Sequence, residues 1–240
     1  MNASRRSCRV TGTERVGLYT LVSVERNGLE PGVPGQFFML EAPGRLLPRP
    51  FSVCLAPPGQ FAFLVDVIGP GTAAIAALEP GDEIAVLGPL GNGYRLDVER
   101  PLLVGGGIGI APLPYLAEQL GGRPRIVAGF RSERHAEAAS ILPPQTEVVV
   151  DPTLVTSCHL EGWDVLACGP EPMLRAVAAL CPTSQLAWEA PMACGYGACY
   201  GCVVEIEGQL KRLCIDGPVL DAERVNTASD NLSQAMEATA

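Results

Sequence analysis

Four cysteines set the tightest limit on what this chain can fold into. Cys194, Cys199, Cys202 and Cys214 follow the spacing C-x4-C-x2-C-x11-C, and Gly195, Gly197, Ala198 and Gly201 lie between the first three. A segment so free of side-chain bulk can curl tightly and aim its backbone N–H groups at sulfur. The order of the cysteines is that of ligands to a plant-type [2Fe–2S] cluster. A structural zinc site is the competing reading. Zinc modules usually present two C-x2-C knuckles or a Cys/His mixture, whereas this segment has one C-x2-C and no nearby histidine.

The other five of the nine cysteines, Cys8, Cys54, Cys158, Cys168 and Cys181, are scattered and are expected to behave as small buried apolar residues. So many thiols in a reducing compartment favour metal ligation over disulfides. The two histidines, His135 and His159, stand outside any ligand spacing and read as structural or surface residues. A net charge of −9 with no basic stripe argues against a nucleic-acid partner. Apolar runs fall well short of the roughly 20 residues that a membrane span needs. The opening MNASRRSCRV has no hydrophobic signal core, so a cytoplasmic protein without membrane contact is expected.

With 48% hydrophobic residues in 240, the chain has material for two ordinary domains or three small ones. From about Val10 to Val98 it reads as strand: Val16–Val24 and Phe61–Val67 are β-prone, and Pro-Gly pairs punctuate them. Short strands at that spacing predict a small antiparallel barrel. One short helix is predicted over Ala73–Leu78, capped by Thr72. From Pro101 the pattern becomes strand, turn, helix. Strands are predicted at Leu102–Val104, Arg125–Phe130, Val148–Val150 and Asp164–Cys168, with helices near Pro112–Leu120, Glu133–Ala139 and Glu171–Leu180. Such alternation predicts an open parallel sheet. After Trp188 come the cysteine loop and a strand pair around Val203–Ile206 and Leu210–Leu213. The predicted organisation is a β-barrel domain over residues 1–98, a parallel-sheet α/β nucleotide-binding domain over 99–187, a small cluster domain over 188–226 and a loose tail over 227–240.

Three further motifs carry chemistry. Gly105, Gly106, Gly107 and Gly109 stand between a predicted strand and helix, where backbone can approach a pyrophosphate. A packing turn is the alternative, since the acid expected about 20 residues on in the ordinary dinucleotide fingerprint is missing and the next strand ends in Phe130-Arg131-Ser132. Cys168-Gly169-Pro170 ends another strand of that sheet, on the edge where such folds bind ligands. Arg49-Pro50-Phe51-Ser52 joins a phosphate-forking arginine, an aromatic and a hydroxyl at a strand start, or is simply that start. Gly71-Thr72 opens the short helix, whose first N–H groups attract phosphate.

Together these segments resemble the ferredoxin-reductase flavoproteins. The terminal stretch Glu189–Cys202, followed by Cys214-Ile215-Asp216-Gly217-Pro218-Val219, is similar to the electron-transfer subunits of NAD-dependent (class 1B) dihydroorotate dehydrogenases, and the resemblance spans roughly Val10 to Val225. It implies that Arg49, Pro50, Phe51 and Ser52 hold FAD, with Ser52 near the redox-active edge, that Leu64, Val65 and Asp66 pass beside it, and that Gly71 and Thr72 receive its pyrophosphate. Gly105, Gly106, Gly107, Gly109, Cys168, Gly169 and Pro170 would frame the nicotinamide nucleotide, NAD in this family. Where relatives commonly show an aromatic and then a basic residue, this chain has Val65 and Asp66.

The resemblance further implies a separate FMN-containing catalytic subunit, in a heterotetramer of two of each, and a place in pyrimidine synthesis. A nicotinamide moves two electrons at once and an iron–sulfur cluster one, so a flavin between them is the needed converter. No residue set for oxidising dihydroorotate itself is visible. Two other readings remain at this point. One is a reductase subunit of another complex, of the sulfhydrogenase or transhydrogenase type. The other is a non-catalytic scaffold holding zinc. Arg131 leaves the choice between NAD and NADP open.

Overall fold

The computed structural model describes residues 3–121, 124–206 and 208–225; the tail expected over 227–240 lies outside them. The first six strands are β1 (Ser4–Val16), β2 (Tyr19–Glu25), β3 (Phe37–Leu40), β4 (Arg49–Ser52), β5 (Gln60–Val65) and β6 (Glu83–Leu90). They form one antiparallel sheet in the order β4-β3-β6-β1-β2-β5. The sheet curls until its edges meet, where the N–H of Cys54 donates to the Ala62 carbonyl at 2.8 Å and the N–H of Ala62 to Leu55 at 2.8 Å. Its interior is aromatic: Phe38, Phe61 and Phe63 are fully buried with ring centroids 5.0–6.0 Å apart. Edge-on and tilted packing of this kind contributes beyond the area it buries.

Two details of this first half differ from the sequence expectation. Val16–Val24 is not one strand; the chain reverses at Gly17-Leu18, and Gly17 takes φ +59° to do so. The short helix, α1 (Pro70–Ala76), starts earlier than Ala73 because Pro70 suits a first turn. Thr72 therefore lies inside it, and its hydroxyl accepts from the N–H groups of Ile68 and Gly69 at 3.0 and 3.2 Å.

The second sheet holds β7 (Pro101–Gly106), β8 (Arg125–Phe130), β9 (Glu147–Val150), β10 (Asp164–Cys168), β11 (Gln185–Ala187) and the late strand β14 (Val219–Asp221). Its order is β14-β11-β10-β7-β8-β9, parallel except for β14. Helices α2 (Leu113–Gln119), α3 (Glu133–Ala136) and α4 (Glu171–Leu180) connect these strands. The helix expected over Glu133–Ala139 tightens after Ala136 into a 3-10 turn, Glu137–Ile141. Leu102, Leu103, Val104, Val127 and Leu166 are fully buried, as strands covered on both faces require.

Between β11 and β14 the chain makes the cysteine loop, the hairpin β12 (Val203–Ile206) and β13 (Gln209–Arg212), and the turn of helix α5 (Leu213–Asp216). After β14 it forms α6 (Ala222–Val225). Tyr94 binds the connecting segment to the second sheet: its hydroxyl, fully buried, donates to the Ala167 carbonyl at 2.8 Å. Among the described residues no helix is long and apolar enough to cross a membrane.

Candidate functional site

The cysteine loop gathers its four thiols as two pairs. Cys202 Sγ lies 3.1 Å from Cys214 Sγ, and the N–H of Cys214 points at Cys202 Sγ at 3.5 Å. Cys194 and Cys199 form the other pair through a side-chain contact. Two backbone positions make this possible: Gly195 and Gly197 take φ +80° and +84°, a region that costs an L side chain about 1–2 kcal/mol. A Cβ on Gly195 would also stand 2.5 Å from Met39, and one on Gly197 2.8 Å from Ile215. α5 is fixed by Asp216, whose carboxylate accepts from the N–H of Arg212 at 2.9 Å. Arg212 in turn donates to the Gly197 carbonyl at 2.9 Å.

Burial raises the Cys194 thiol, but N–H groups of Cys199, Tyr196 and Ala198 and the Cys199 thiol bring it down to about 7. Burial first, then the Cys202 sulfur, raise Cys214. Two pairs suit a cluster in which each of two irons takes two protein ligands. The remaining five cysteines are all buried, and burial pushes Cys54 up to about 12.

A cavity of about 350 Å³ lies where the barrel meets the second sheet. Its walls include Arg49, Pro50, Phe51, Ser52, Leu64, Asp66 and Thr72 from the barrel side, Ile108 and Cys168 from the second sheet, and Trp188, Glu189 and Met192 from the segment entering the cysteine loop. Alternation along β5 sends Leu64 and Asp66 toward this space and Val65, fully buried, into the barrel core. Gly71 is buried beneath Arg49, whose guanidinium stands 2.7 Å from where a Cβ would be. Arg49 is steadied by the Leu47 carbonyl, which accepts from Nη1 at 2.7 Å. Ile68 in the cavity wall is 84% exposed, an apolar side chain that a flat ring would cover. The Trp188 indole N–H is buried without an acceptor.

A second cavity, about 750 Å³, adjoins the first. Gly106, Gly107, Gly169 and Pro170 line it, with Tyr19, Arg131, His135, Asp151 and Thr153–Thr156. The glycine run divides its work. A Cβ on Gly109 would crowd the Cys168 carbonyl and stand 2.5 Å from Gly169 Cα, so this glycine permits two loops to touch. Gly105 is hemmed in by Leu113 and Ile110. Gly107 opens to the cavity, its nearest neighbour the Tyr19 hydroxyl at 3.8 Å.

Four residues, Asp66, Ile68, Ile108 and Glu189, belong to the walls of both cavities. Glu189 is exposed to solvent through these open spaces, yet the mass of protein around its carboxyl desolvates it enough to raise it above the ordinary range. Burial, and next Glu189 itself, raise the Cys168 thiol well above its usual value. Tyr19 and Trp188 were not foreseen as site residues. Neither carries a local signal, because each becomes a wall only when distant segments fold together.

A curled antiparallel sheet joined to a parallel one, with adjoining cavities at the seam, is the fold of the ferredoxin-reductase-like flavoproteins. The solved structure described as giving insights into flavin-based electron bifurcation via the NADH-dependent reduced ferredoxin-NADP oxidoreductase superposes with TM-score 0.80, covering 96% of this chain and 93% of that one at 24% identity. A ferredoxin reductase in carbazole 1,9a-dioxygenase gives 0.63 at 20% identity over 75% of this chain and 65% of that one. The family model for the iron–sulfur cluster binding domain of dihydroorotate dehydrogenase B matches residues 189–226. The electron transfer subunit of dihydroorotate dehydrogenase B (NAD(+)) from Bacillus caldolyticus is 39% identical over 221 residues, spanning 80% of this chain and 86% of that protein. Its counterpart from Clostridium perfringens is 34% identical over 230 residues, spanning 87% and 92%. The chain belongs to the family of dihydroorotate dehydrogenase B (NAD(+)) electron transfer subunits.

Proposed function

We propose that this protein passes electrons from a separate dihydroorotate-oxidising subunit to NAD⁺, in pyrimidine synthesis in the cytoplasm. Cys194, Cys199, Cys202 and Cys214 are assigned as ligands of a [2Fe–2S] cluster. The smaller cavity is assigned to the isoalloxazine end of FAD and the larger to NAD. When bound, the flavin exchanges single electrons on one side and a hydride on the other, which neither neighbour can do alone.

One geometric observation supports this order above all others. Met192 lines the smaller cavity and Cys194 follows two residues later, so their Cα atoms are at most about 7 Å apart. The cavities in turn share the wall of Asp66, Ile68, Ile108 and Glu189. Thiols, first cavity and second cavity thus form a contiguous series.

Within it the chain's own residues position and shield. Arg49, over the first turn of α1, offers a planar fork to phosphate oxygens. Phe51 and Ile68 provide apolar contact, and Ser52 and the Trp188 N–H offer hydrogen bonds at the cavity wall. Gly107 leaves backbone open to a pyrophosphate. Exposed Cys199, with Tyr196 and Tyr200 at 58% and 64% exposure beside it, marks the face assigned to the FMN-containing partner, in an assembly of two of each subunit. The division into 1–98, 99–187 and 188–226 follows these roles.

Anaerobic titration with NADH, read by visible absorbance and low-temperature electron paramagnetic resonance, tests the assignment. The expected result is bleaching of flavin followed by the signal of a reduced [2Fe–2S] cluster. Iron-free protein, or a cluster that NADH leaves oxidised while dithionite reduces it, would overturn the proposed route. Pull-down of a dihydroorotate-oxidising subunit is the companion test.

A further inference from the structure

Three tyrosines are buried, Tyr19, Tyr94 and Tyr115. Buried hydroxyls ordinarily find a partner, and two of these do so within the protein. Tyr94 donates to the Ala167 carbonyl, and Tyr115 to the Gly32 carbonyl at 2.9 Å. Tyr19 is only 2% exposed, yet among the described residues its hydroxyl makes no hydrogen bond. Nor is that hydroxyl sealed off, since Tyr19 forms part of the wall of the larger cavity.

Tyr19 is fixed from behind. It opens β2 directly after the turn at Gly17, and that hairpin rests on α3 and the 3-10 turn that follows it. A Cβ on Gly17 would stand 3.1 Å from the Ala138 nitrogen and 3.2 Å from the Arg134 carbonyl. The phenol meets the His135 ring edge-on, with centroids 6.4 Å apart and planes at 62°. Burial, and next Asp66, raise the phenol against an opposite pull from Arg131, so it stays a proton donor. In front of the hydroxyl lies the glycine turn of the parallel sheet. Apart from its own chain neighbours, a Cβ on Gly107 would meet only the Tyr19 hydroxyl within 4 Å, at 3.8 Å. A phenol from the barrel and bare backbone from the second sheet thus face one another across open space.

We propose that the Tyr19 hydroxyl donates a hydrogen bond to the pyrophosphate of the bound nicotinamide dinucleotide, holding it from the barrel side while Gly107 leaves it room on the other. This rests on the reading of the larger cavity as the nicotinamide-nucleotide site. A phosphate oxygen is the acceptor the geometry favours, because the glycine turn after a strand is where such folds take a pyrophosphate. Asp66, Asp151 and Glu189 line the same cavity, with Arg131 as the cation. A neutral phenol can hold an anion there without pairing to those carboxylates, as a further cation would.

Calorimetric titration of the cofactor-loaded protein with ADP-ribose, which keeps the pyrophosphate, tests it. Tyr19→Phe should weaken binding about ten-fold or more, the worth of a hydrogen bond to a charged oxygen. It should also move a phosphorus magnetic-resonance signal of the bound ADP-ribose. Without nucleotide the variant should unfold at the same temperature as the unaltered protein or slightly higher, because the hydroxyl it loses has no protein partner. A Tm lowered equally with and without ADP-ribose marks a merely structural tyrosine and overturns the proposal. So does an affinity of Tyr19→Phe for ADP-ribose within about twofold of the unaltered value, or weaker binding with both phosphorus signals unmoved. Failure of ADP-ribose to bind the unaltered protein overturns the nucleotide reading of the cavity itself, and this proposal with it.

Discussion

Gly197 shows how little freedom the thiol loop has. Its φ of +84° and the 2.8 Å approach of Ile215 to a hypothetical Cβ mean that Gly197→Ala strains the backbone and pushes on the residue next to Cys214. A loss of roughly 1–3 kcal/mol is expected, together with fewer irons per chain, measurable by thermal unfolding and by iron and sulfide analysis. Glu189 gives a pH signature instead. Burial raises its carboxyl above 4.5, so just above that pH the folded chain holds a proton that the unfolded chain has released. Stability from this group therefore falls as pH rises through the interval between the two values. Glu189→Gln removes the fall. The difference in Tm, variant minus unaltered protein, should widen between about pH 4 and about pH 8.

Elements differ in how far they could be read from sequence. The alternation of apolar runs with helical segments after Pro101 was legible because each βαβ unit carries its own signal. The hairpin at Gly17 was not: β-prone residues continue across it, and only pairing with β5 and β6 shows where the chain turns. β14 has three residues and owes its existence to β11, more than thirty residues earlier, so no local pattern announces it. The same reason hid the cavity walls. The four loop cysteines and the Arg49 strand sit in short motifs, whereas Tyr19, Trp188 and the shared wall arise from segments far apart in the chain. Tyr94 is a case at this scale, a connector residue that pins β10 through Ala167. Tyr94→Phe should cost about 1–2 kcal/mol, seen as a lower midpoint in urea with an unchanged slope.

At the scale of the molecule, the smaller cavity is walled by the barrel, the parallel sheet and the segment leading into the cysteine loop. A ligand filling it touches all three and stabilises them as one unit. Protein stripped of flavin should gain about 2.7 kcal/mol when FAD reaches a hundred times its Kd, and its single unfolding transition should move up by roughly 5–10 °C. A gain confined to one of two separate transitions would show that the lobes do not share the ligand. The thiol loop, moreover, is not an appendage. The chain leaves the parallel sheet at Ala187, and β14 lays Val219 back against that same residue. Both anchors are thus stitched side by side into one sheet edge. Such a loop cannot be shuffled between proteins as a detachable cassette, because excising it severs the scaffold that frames both cavities.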